Sequence, residues 1–162
     1  MRLLIIRHAT AVPRGTPDMP DEERPLTKQG ERRFRRAAEG LARLMKRPDT
    51  LLSSPLPRAR RTAEIAAKAW GKVEVEEEPA LAGGSYDEIA TALSRFPADS
   101  TVAIVGHEPD LSVVLARLLG SSKPERLAFK KGGAALVDVP GSLNEGGTLV
   151  WYMPPRLLRR LA

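Results

Sequence analysis

The chain has 162 residues and a hydrophobic fraction of 42%, which predicts one globular domain over residues 1–162 rather than a disordered polypeptide. It has no cysteine, which excludes a disulfide scaffold, a thiolate nucleophile and a cysteine-based zinc site. The formal net charge of +6 permits binding to nucleic acid or to an acidic partner.

A short apolar run, Leu3–Ile6, opens the chain and stops at Arg7 and His8. Four apolar residues are too few for the core of a signal peptide or for a membrane span. The run therefore predicts a strand covered on both faces, and we expect a cytoplasmic protein that does not bind membranes. Residues 9–26 are rich in Pro, Gly and Asp, which predicts a loop.

Helices and short strands alternate along the rest of the chain. Thr27 predicts the N-cap of a first helix, and Pro48 predicts its end. The further expected elements, in order, are a strand at Leu51-Leu52, a helix from about Pro57 to Trp70, a strand over 73–78, a helix from Tyr86 to Phe96, a strand over 101–105, a helix from Leu111 to Leu119, and two strands over 134–139 and 148–153 before a short basic tail. This alternation indicates an α/β protein, a three-layer sandwich with a mostly parallel central sheet covered by helices on both faces.

Many basic residues fall on the first predicted helix: Lys28, Arg32, Arg33, Arg35, Arg36, Arg43, Lys46 and Arg47. The whole chain has three Phe, two Tyr and two Trp, too few to predict stacking platforms for bases. A solvated helix face is therefore the favoured interpretation, and nucleic-acid binding is not expected.

Polar residues follow three predicted strands at the point where each strand ends. Arg7-His8 follows the first strand, Ser53 to Arg58 joins the second strand to the second helix, and Gly106-His107 follows the strand over 101–105. Ligands of an open parallel sheet bind beyond the carboxyl ends of its strands. The two histidines of the chain therefore lie where a site is expected, although the pattern alone leaves a structural role for them open.

The residue types at these strand ends suit a phosphoryl group. Arginine offers a planar fork of donors and a fixed positive charge, and Arg58 is predicted in the first turn of a helix, where free N–H groups also favour an anion. Metal binding is the competing interpretation of the histidines. It is disfavoured because no metal-ligand spacing is present and because two arginines would repel a cation.

Four motifs, in order, resemble those of the histidine phosphatase superfamily. Leu4–Ala9 resembles its strand with an Arg-His-Gly ending, and Arg24–Thr27 followed by Gly30 resembles the segment that begins its first helix. Ser53–Thr62 resembles its second-arginine motif, and Val105–His107 resembles its second-histidine motif. The short length of the chain and the Arg-Pro-Leu-Thr sequence of the second motif resemble the bacterial phosphohistidine phosphatase branch, the SixA type.

The resemblance implies an α/β sandwich in which His8 is the residue that becomes phosphorylated. Arg7, Arg58 and His107 would complete the phosphate pocket, and no metal or organic cofactor would be needed. This chain departs from the family at Ala9, where a Gly is usual, and that change is small.

The more important departure concerns the general acid. Ala80 stands where members that act on phosphate esters carry a Glu before a Leu. Other carboxylates are near in sequence, but none matches that position; they are Glu76, Glu77, Glu78 and Asp87.

The missing acid bears on the substrate. An alkoxide leaving group normally needs a proton from a positioned acid, whereas the imidazole of a phosphohistidine leaves more easily. We therefore expect a phosphohistidine phosphatase that acts on a phosphorylated protein such as a histidine-containing phosphotransfer domain. The alternatives are a small-molecule phosphomonoesterase and a non-catalytic module that binds phosphate or nucleic acid.

Overall fold

The computed structural model describes residues 1–162 and contains six strands and five α-helices. The strands are β1 (Arg2–Arg7), β2 (Thr50–Ser53), β3 (Val75–Glu77), β4 (Thr101–Gly106), β5 (Ala134–Asp138) and β6 (Thr148–Met153). The helices are α1 (Lys28–Leu44), α2 (Pro57–Ala69), α3 (Tyr86–Ser94), α4 (Asp110–Leu118) and α5 (Pro155–Leu161).

The strands form one sheet in the order β3-β2-β4-β1-β5-β6. The first four strands in that order are parallel, whereas β5 pairs antiparallel with β1 and β6 pairs antiparallel with β5. In the centre of the sheet, Arg7 at the end of β1 lies beside Gly106 at the end of β4. The carboxyl ends of the two central strands therefore meet at one edge.

Side-chain alternation along the strands divides the core into two layers. Leu4 and Ile6 face a cluster formed with α1, α2 and α5. Leu3 and Ile5 face a second cluster formed with α3 and α4. Helices thus cover both faces of a mostly parallel sheet, and the predicted three-layer α/β sandwich is confirmed.

Helix α1 begins as its sequence predicts and ends earlier. The Thr27 side chain accepts a hydrogen bond of 2.9 Å from the Gly30 N–H, which provides one of the free N–H groups at the helix start with a partner. The helix ends at Leu44, and Met45 already has extended backbone angles. The expected end at Pro48 is therefore too late. The basic side chains Arg32, Arg33 and Arg36 are exposed along the helix.

The basic tail that follows β6 forms helix α5, which the sequence patterns did not predict. Pro155 starts α5 at a position where its missing N–H is not needed, and Leu158 is fully buried. Gly40 of α1 allows the close approach, because a Cβ there would overlap the backbone carbonyl oxygen of Leu158. None of the five helices has the length and apolar character needed to cross a membrane.

Candidate active site

The structure brings Arg7, His8, Arg58 and His107 to the same edge of the sheet. Arg7 is the last residue of β1, and His8 follows it directly; His107 follows β4, and Arg58 is the second residue of α2. The rings of His8 and His107 lie 5.1 Å apart between centroids. His8, Arg58 and His107 are each less than a tenth exposed, so the charges act on one another in a water-poor environment.

The His8 ring contacts the backbone through one of its two nitrogens. Its backbone N–H donates to the Gly106 carbonyl oxygen at 3.0 Å, and its Nδ1 lies 2.7 Å from the Ala9 carbonyl oxygen. A carbonyl only accepts, so Nδ1 carries the proton and Nε2 keeps its lone pair. Burial lowers the pKa of His8 to about 3, and His107, Arg58 and Arg7 act in the same direction. The ring is therefore neutral at neutral pH, as a nucleophile must be.

His107 is held through the opposite ring nitrogen. Its Nε2 lies 2.8 Å from the Ser54 hydroxyl oxygen, which also accepts from the Leu56 N–H at 3.2 Å. This network is satisfied when Ser54 donates its proton to Nε2, which leaves Nδ1 as the N–H donor. Burial and, after it, the charge of Arg58 lower the pKa of His107 to about 4. The Nδ1 atom is buried and has no partner.

Arg7 is oriented by a hydrogen bond to the backbone of Phe129, which is held in turn by Glu108. Its Nη1 donates to the Phe129 carbonyl oxygen, while the Phe129 N–H donates to the Glu108 carboxylate at 2.8 Å. Glu108 also accepts from the Ser112 hydroxyl at 2.6 Å. Burial lowers the pKa of Arg7, and the Glu108 charge opposes that shift. The guanidinium stays charged because its usual pKa is above 12, and its Nε is buried without a partner.

Arg58 is fixed by the loop before α1. Its Nη1 donates to the Asp21 backbone carbonyl at 2.7 Å, and its Nη2 lies 3.3 Å from the Asp21 carboxylate. The same carboxylate accepts from Arg14 and Arg24 at 2.8 and 2.9 Å. Hydrogen bonding from Arg14, then from Arg24, lowers the pKa of Asp21 to about 2, so the residue is an anion that orients Arg58. The Arg58 Nε is buried without a partner.

Unpartnered buried nitrogens are concentrated at this site. Five buried side-chain nitrogen or oxygen atoms lack a hydrogen-bond partner, and three of them are Arg7 Nε, Arg58 Nε and His107 Nδ1. Buried polar groups without partners are costly and rare. Because all three are donors and two belong to cations, the arrangement suits an anion beside His8.

The carboxylates near Ala80 are held by other partners. Glu76 and Glu78 pair with Arg95 at 3.7 and 3.1 Å, and Glu77 pairs with Arg60. Glu78 also accepts from the Ala80 N–H at 3.1 Å. These contacts direct the acidic groups to surface arginines, and Asp87 is an exposed residue of α3.

Sequence analysis missed four polar residues that belong to this region: Asp21, Ser54, Glu108 and Asp110. Asp110 lies in the first turn of α4, three residues after His107. Burial raises the pKa of this carboxyl group, although a hydrogen bond from the Gly83 N–H opposes the rise. A carboxylate in the first turn of the helix that follows a strand-end histidine was the available signal. No group of three or more His, Cys, Asp or Glu side chains in the structure could hold a metal ion.

Comparison with known proteins agrees with the geometry. The sequence profile of the "Histidine phosphatase superfamily (branch 1)" matches residues 3–91. An uncharacterized protein of Picosynechococcus sp. is 35% identical over 136 residues, which are 82% of this chain and 82% of that protein.

Two solved structures illustrate the likeness of fold. The protein histidine phosphatase SixA complexed with tungstate has a TM-score of 0.83 and 26% identity, over 98% of this chain and 99% of that chain. The alpha-ribazole phosphatase of Shigella flexneri has a TM-score of 0.75 and 19% identity, over 96% and 97% of the two chains. The second likeness concerns the fold alone.

Proposed function

This chain belongs to branch 1 of the histidine phosphatase superfamily, whose members are phosphatases, and on that premise we propose that it is a phosphohistidine phosphatase with His8 as its nucleophile. The observation that supports this most directly is the set of buried side-chain nitrogens without partners on Arg7, Arg58 and His107, at the same edge of the sheet as His8. The likeness to a SixA structure that contains tungstate, another tetrahedral oxyanion, adds support.

The first chemical step transfers the phosphoryl group to His8. The Nε2 lone pair of His8 forms a bond to phosphorus while the bond from phosphorus to the substrate imidazole nitrogen breaks. The leaving nitrogen takes the bonding pair, and a ring protonated at its other nitrogen departs as neutral imidazole. The Nδ1–H of His8, held by the Ala9 carbonyl, keeps the attacking nitrogen oriented.

The second step returns the enzyme to its starting state. A water oxygen forms a bond to phosphorus, the His8 Nε2–phosphorus bond breaks, and Nε2 recovers its electron pair. The water proton passes to the phosphate or to solvent. No organic cofactor or metal ion takes part in this scheme.

Arg7, Arg58 and His107 stabilise the charge on the phosphoryl oxygens in both steps. Without an anion, burial and the neighbouring cations keep His107 neutral. A phosphoryl dianion brings negative charge against the ring, which reverses the electrostatic effect and favours its protonated form. We therefore assign His107 the role of a hydrogen-bond donor that becomes protonated when the substrate binds.

A phosphorylated protein, such as a histidine-containing phosphotransfer domain in the cytoplasm, is the substrate class we propose. Ala80 supplies no acid, and the neighbouring glutamates are engaged by Arg60 and Arg95. Asp110 favours a second candidate, a small-molecule phosphomonoesterase, because it lies in the first turn of α4, three residues after His107, and burial raises the pKa of its carboxyl group.

The test is kcat/KM for three substrates: a phosphohistidine protein, an aryl phosphate and an alkyl phosphate. We expect the first two to be cleaved and the alkyl phosphate to react about 10²–10⁴-fold more slowly, the usual contribution of general acid catalysis. Ala80→Glu should raise alkyl phosphate turnover, whereas Ala82→Glu, an exposed position with the same charge change, should not.

Equal turnover of alkyl phosphate and phosphohistidine protein by the unmodified enzyme would contradict the proposal. Asp110→Asn then decides whether Asp110 supplies the proton, because the variant should lose alkyl phosphate turnover selectively. That result would make the phosphomonoesterase the function of this chain.

A further inference from the structure

A cleft beside His8 carries positive charges that the proposed mechanism does not use. Its volume is about 220 Å³, and its apolar lining includes Phe34, Ala37 and Pro155. Its charged lining consists of Arg33 from α1, Lys131 from the loop before β5, and Arg159 from α5, with no acidic residue among them. We call this the basic cleft.

The acidic side chains of α1 lie away from the basic cleft. Glu31 pairs with Arg35 and Arg61, and Glu39 lines a separate cavity with the same two arginines. No ion pair or side-chain hydrogen bond neutralises Arg33, Lys131 or Arg159. The three cations therefore share one cleft without an internal counter-charge, which makes it attractive to an external anion.

The cleft is joined to the nucleophile through the backbone. Ala9 and Thr10, which line it, directly follow His8. Gly132, also part of the lining, donates its N–H to the carbonyl oxygens of Arg7 and His8, each at 3.1 Å. A group bound in the cleft therefore lies next to the strand end that presents His8.

The size and the lining of the cleft indicate what it accepts. Drug-sized ligands occupy pockets of roughly 300–1,000 Å³, so a cleft of about 220 Å³ suits side chains better than a separate small molecule. The small volume and the three cations of the lining are suited to acidic side chains.

We propose that the basic cleft docks Asp or Glu side chains that flank the phosphohistidine on the partner protein. This proposal rests on the proposed function and specifies which side chains lie next to the phosphohistidine in the substrate. Nucleic acid fits less well, because the one aromatic residue in the lining, Phe34, is only 1% exposed and offers no stacking surface.

The experiment uses two phosphohistidine peptides that differ only in their flanking residues, glutamates in one and glutamines in the other. At low ionic strength the unmodified enzyme should show a kcat/KM about 10-fold higher for the acidic peptide, the lower end of electrostatic steering effects. The variant Arg33→Ala/Lys131→Ala/Arg159→Ala should bring the ratio close to one, with most of the change in KM.

A matched control removes three charges outside the cleft. Arg32, Arg156 and Arg160 are exposed residues of the same two helices and do not line the cleft. Their triple alanine variant should keep the preference for the acidic peptide. Thermal unfolding of both variants verifies that they fold, and the glutamine peptide serves as the internal reference for each enzyme.

Three outcomes would overturn the proposal. Equal kcat/KM values for the two peptides would show that the unmodified enzyme does not prefer the acidic peptide. An unchanged ratio of the two values in the cleft variant would show that the preference arises outside the basic cleft. A nucleic-acid site would be identified if a DNA oligonucleotide inhibited hydrolysis more strongly than a glutamate-rich peptide of equal charge, and if this difference were lost in the cleft variant. Failure to hydrolyse either peptide while an aryl phosphate is cleaved would instead refute the proposed function.

Discussion

At the scale of single residues, the two histidines differ in which ring nitrogen is engaged. His8 uses Nδ1 to contact the Ala9 carbonyl, and His107 uses Nε2 to contact Ser54. The free nitrogens are therefore Nε2 of His8, with a lone pair, and Nδ1 of His107, with a proton. This difference assigns attack to the first ring and donation to the second.

The assignment predicts different effects of removing each ring. His8→Ala should abolish turnover and the acid-labile phosphoenzyme, because no other group carries the lone pair. His107→Ala should lower kcat by about 10²–10³-fold, as expected for loss of one preorganised donor, while phosphoenzyme remains detectable. The measurement is steady-state turnover together with acid-quenched labelling by a radioactive phosphohistidine protein. Near-normal turnover by His8→Ala would refute the nucleophile assignment.

The burial of both neutral rings also predicts how stability changes with pH. The pKa of an unfolded histidine is about 6.5, whereas the folded pKa is about 3 for His8 and about 4 for His107. Between these values the unfolded chain binds protons that the folded chain does not, so stability falls as the pH falls from about 6.5. The expected slope is about 1.4 kcal/mol per pH unit for each histidine.

Urea unfolding at about pH 6.5 and about pH 5 measures this slope, in a range above the usual carboxylate pKa values. The control is His8→Asn/His107→Asn, whose free energy of unfolding should depend much less on pH over the same range. An equally steep slope in the double variant would assign the effect to other groups.

At the scale of elements, the site depends on contacts between segments that are distant in sequence. The loop before α1 orients Arg58 of α2 through Asp21, and the segment before β5 orients Arg7 of β1 through Phe129. Helix α5 packs on α1 through Gly40 and Leu158, and its Arg159 completes the basic cleft. The packing of a terminal helix therefore affects the surface beside the nucleophile.

Gly40→Ala tests that packing. An alanine inside a helix usually stabilises it by about 0.5–1 kcal/mol relative to glycine. Here the added methyl group would overlap the Leu158 carbonyl, so we expect a loss of about 1–3 kcal/mol in the free energy of unfolding. Glu39→Ala, at the exposed neighbouring position, is the control and should change stability little. A gain in stability from Gly40→Ala, measured by urea unfolding, would mean that α5 does not pack closely there.

At the scale of the whole molecule, several positive charges lie at the end of the sheet that carries the proposed nucleophile. Arg7 and Arg58 lie at the end of the sheet where β1 and β4 finish, and Arg33, Lys131 and Arg159 lie beside it. Many other arginines are paired with carboxylates, as Arg60 and Arg61 are with Glu64. The cations Arg33, Lys131 and Arg159, which form no ion pair, thus lie near the proposed nucleophile, where an anionic substrate would bind.

This cationic surrounding predicts metal-independent activity, since a divalent ion would be repelled by the groups that attract phosphate. Prolonged treatment with a chelator should leave kcat/KM for the phosphohistidine protein unchanged. Adding magnesium or zinc after the treatment provides the control. A large loss that a divalent ion restores would show that the histidines act as metal ligands.

The order of the strands and of helices α1 to α4, and the strand-end positions of the four proposed site residues, could be predicted from the sequence because both follow from local patterns. Apolar runs that stop at Arg7-His8 and at Gly106-His107 specify strand ends, and parallel strands bring their carboxyl ends to one edge. The sequence profile and the fold also bear out the family resemblance drawn from these motifs.

The partners that hold those side chains, and the protonation of the two rings, follow from contacts that form only in the folded chain. The contacts of Arg7 with Phe129, of Arg58 with Asp21 and of His107 with Ser54 join residues separated by 122, 37 and 53 positions. Local periodicity carries no information about such distances, and for the same reason the basic tail gave no sign of packing as α5. Burial, which lowers the pKa of both histidines, likewise arises only when the helices close over the sheet.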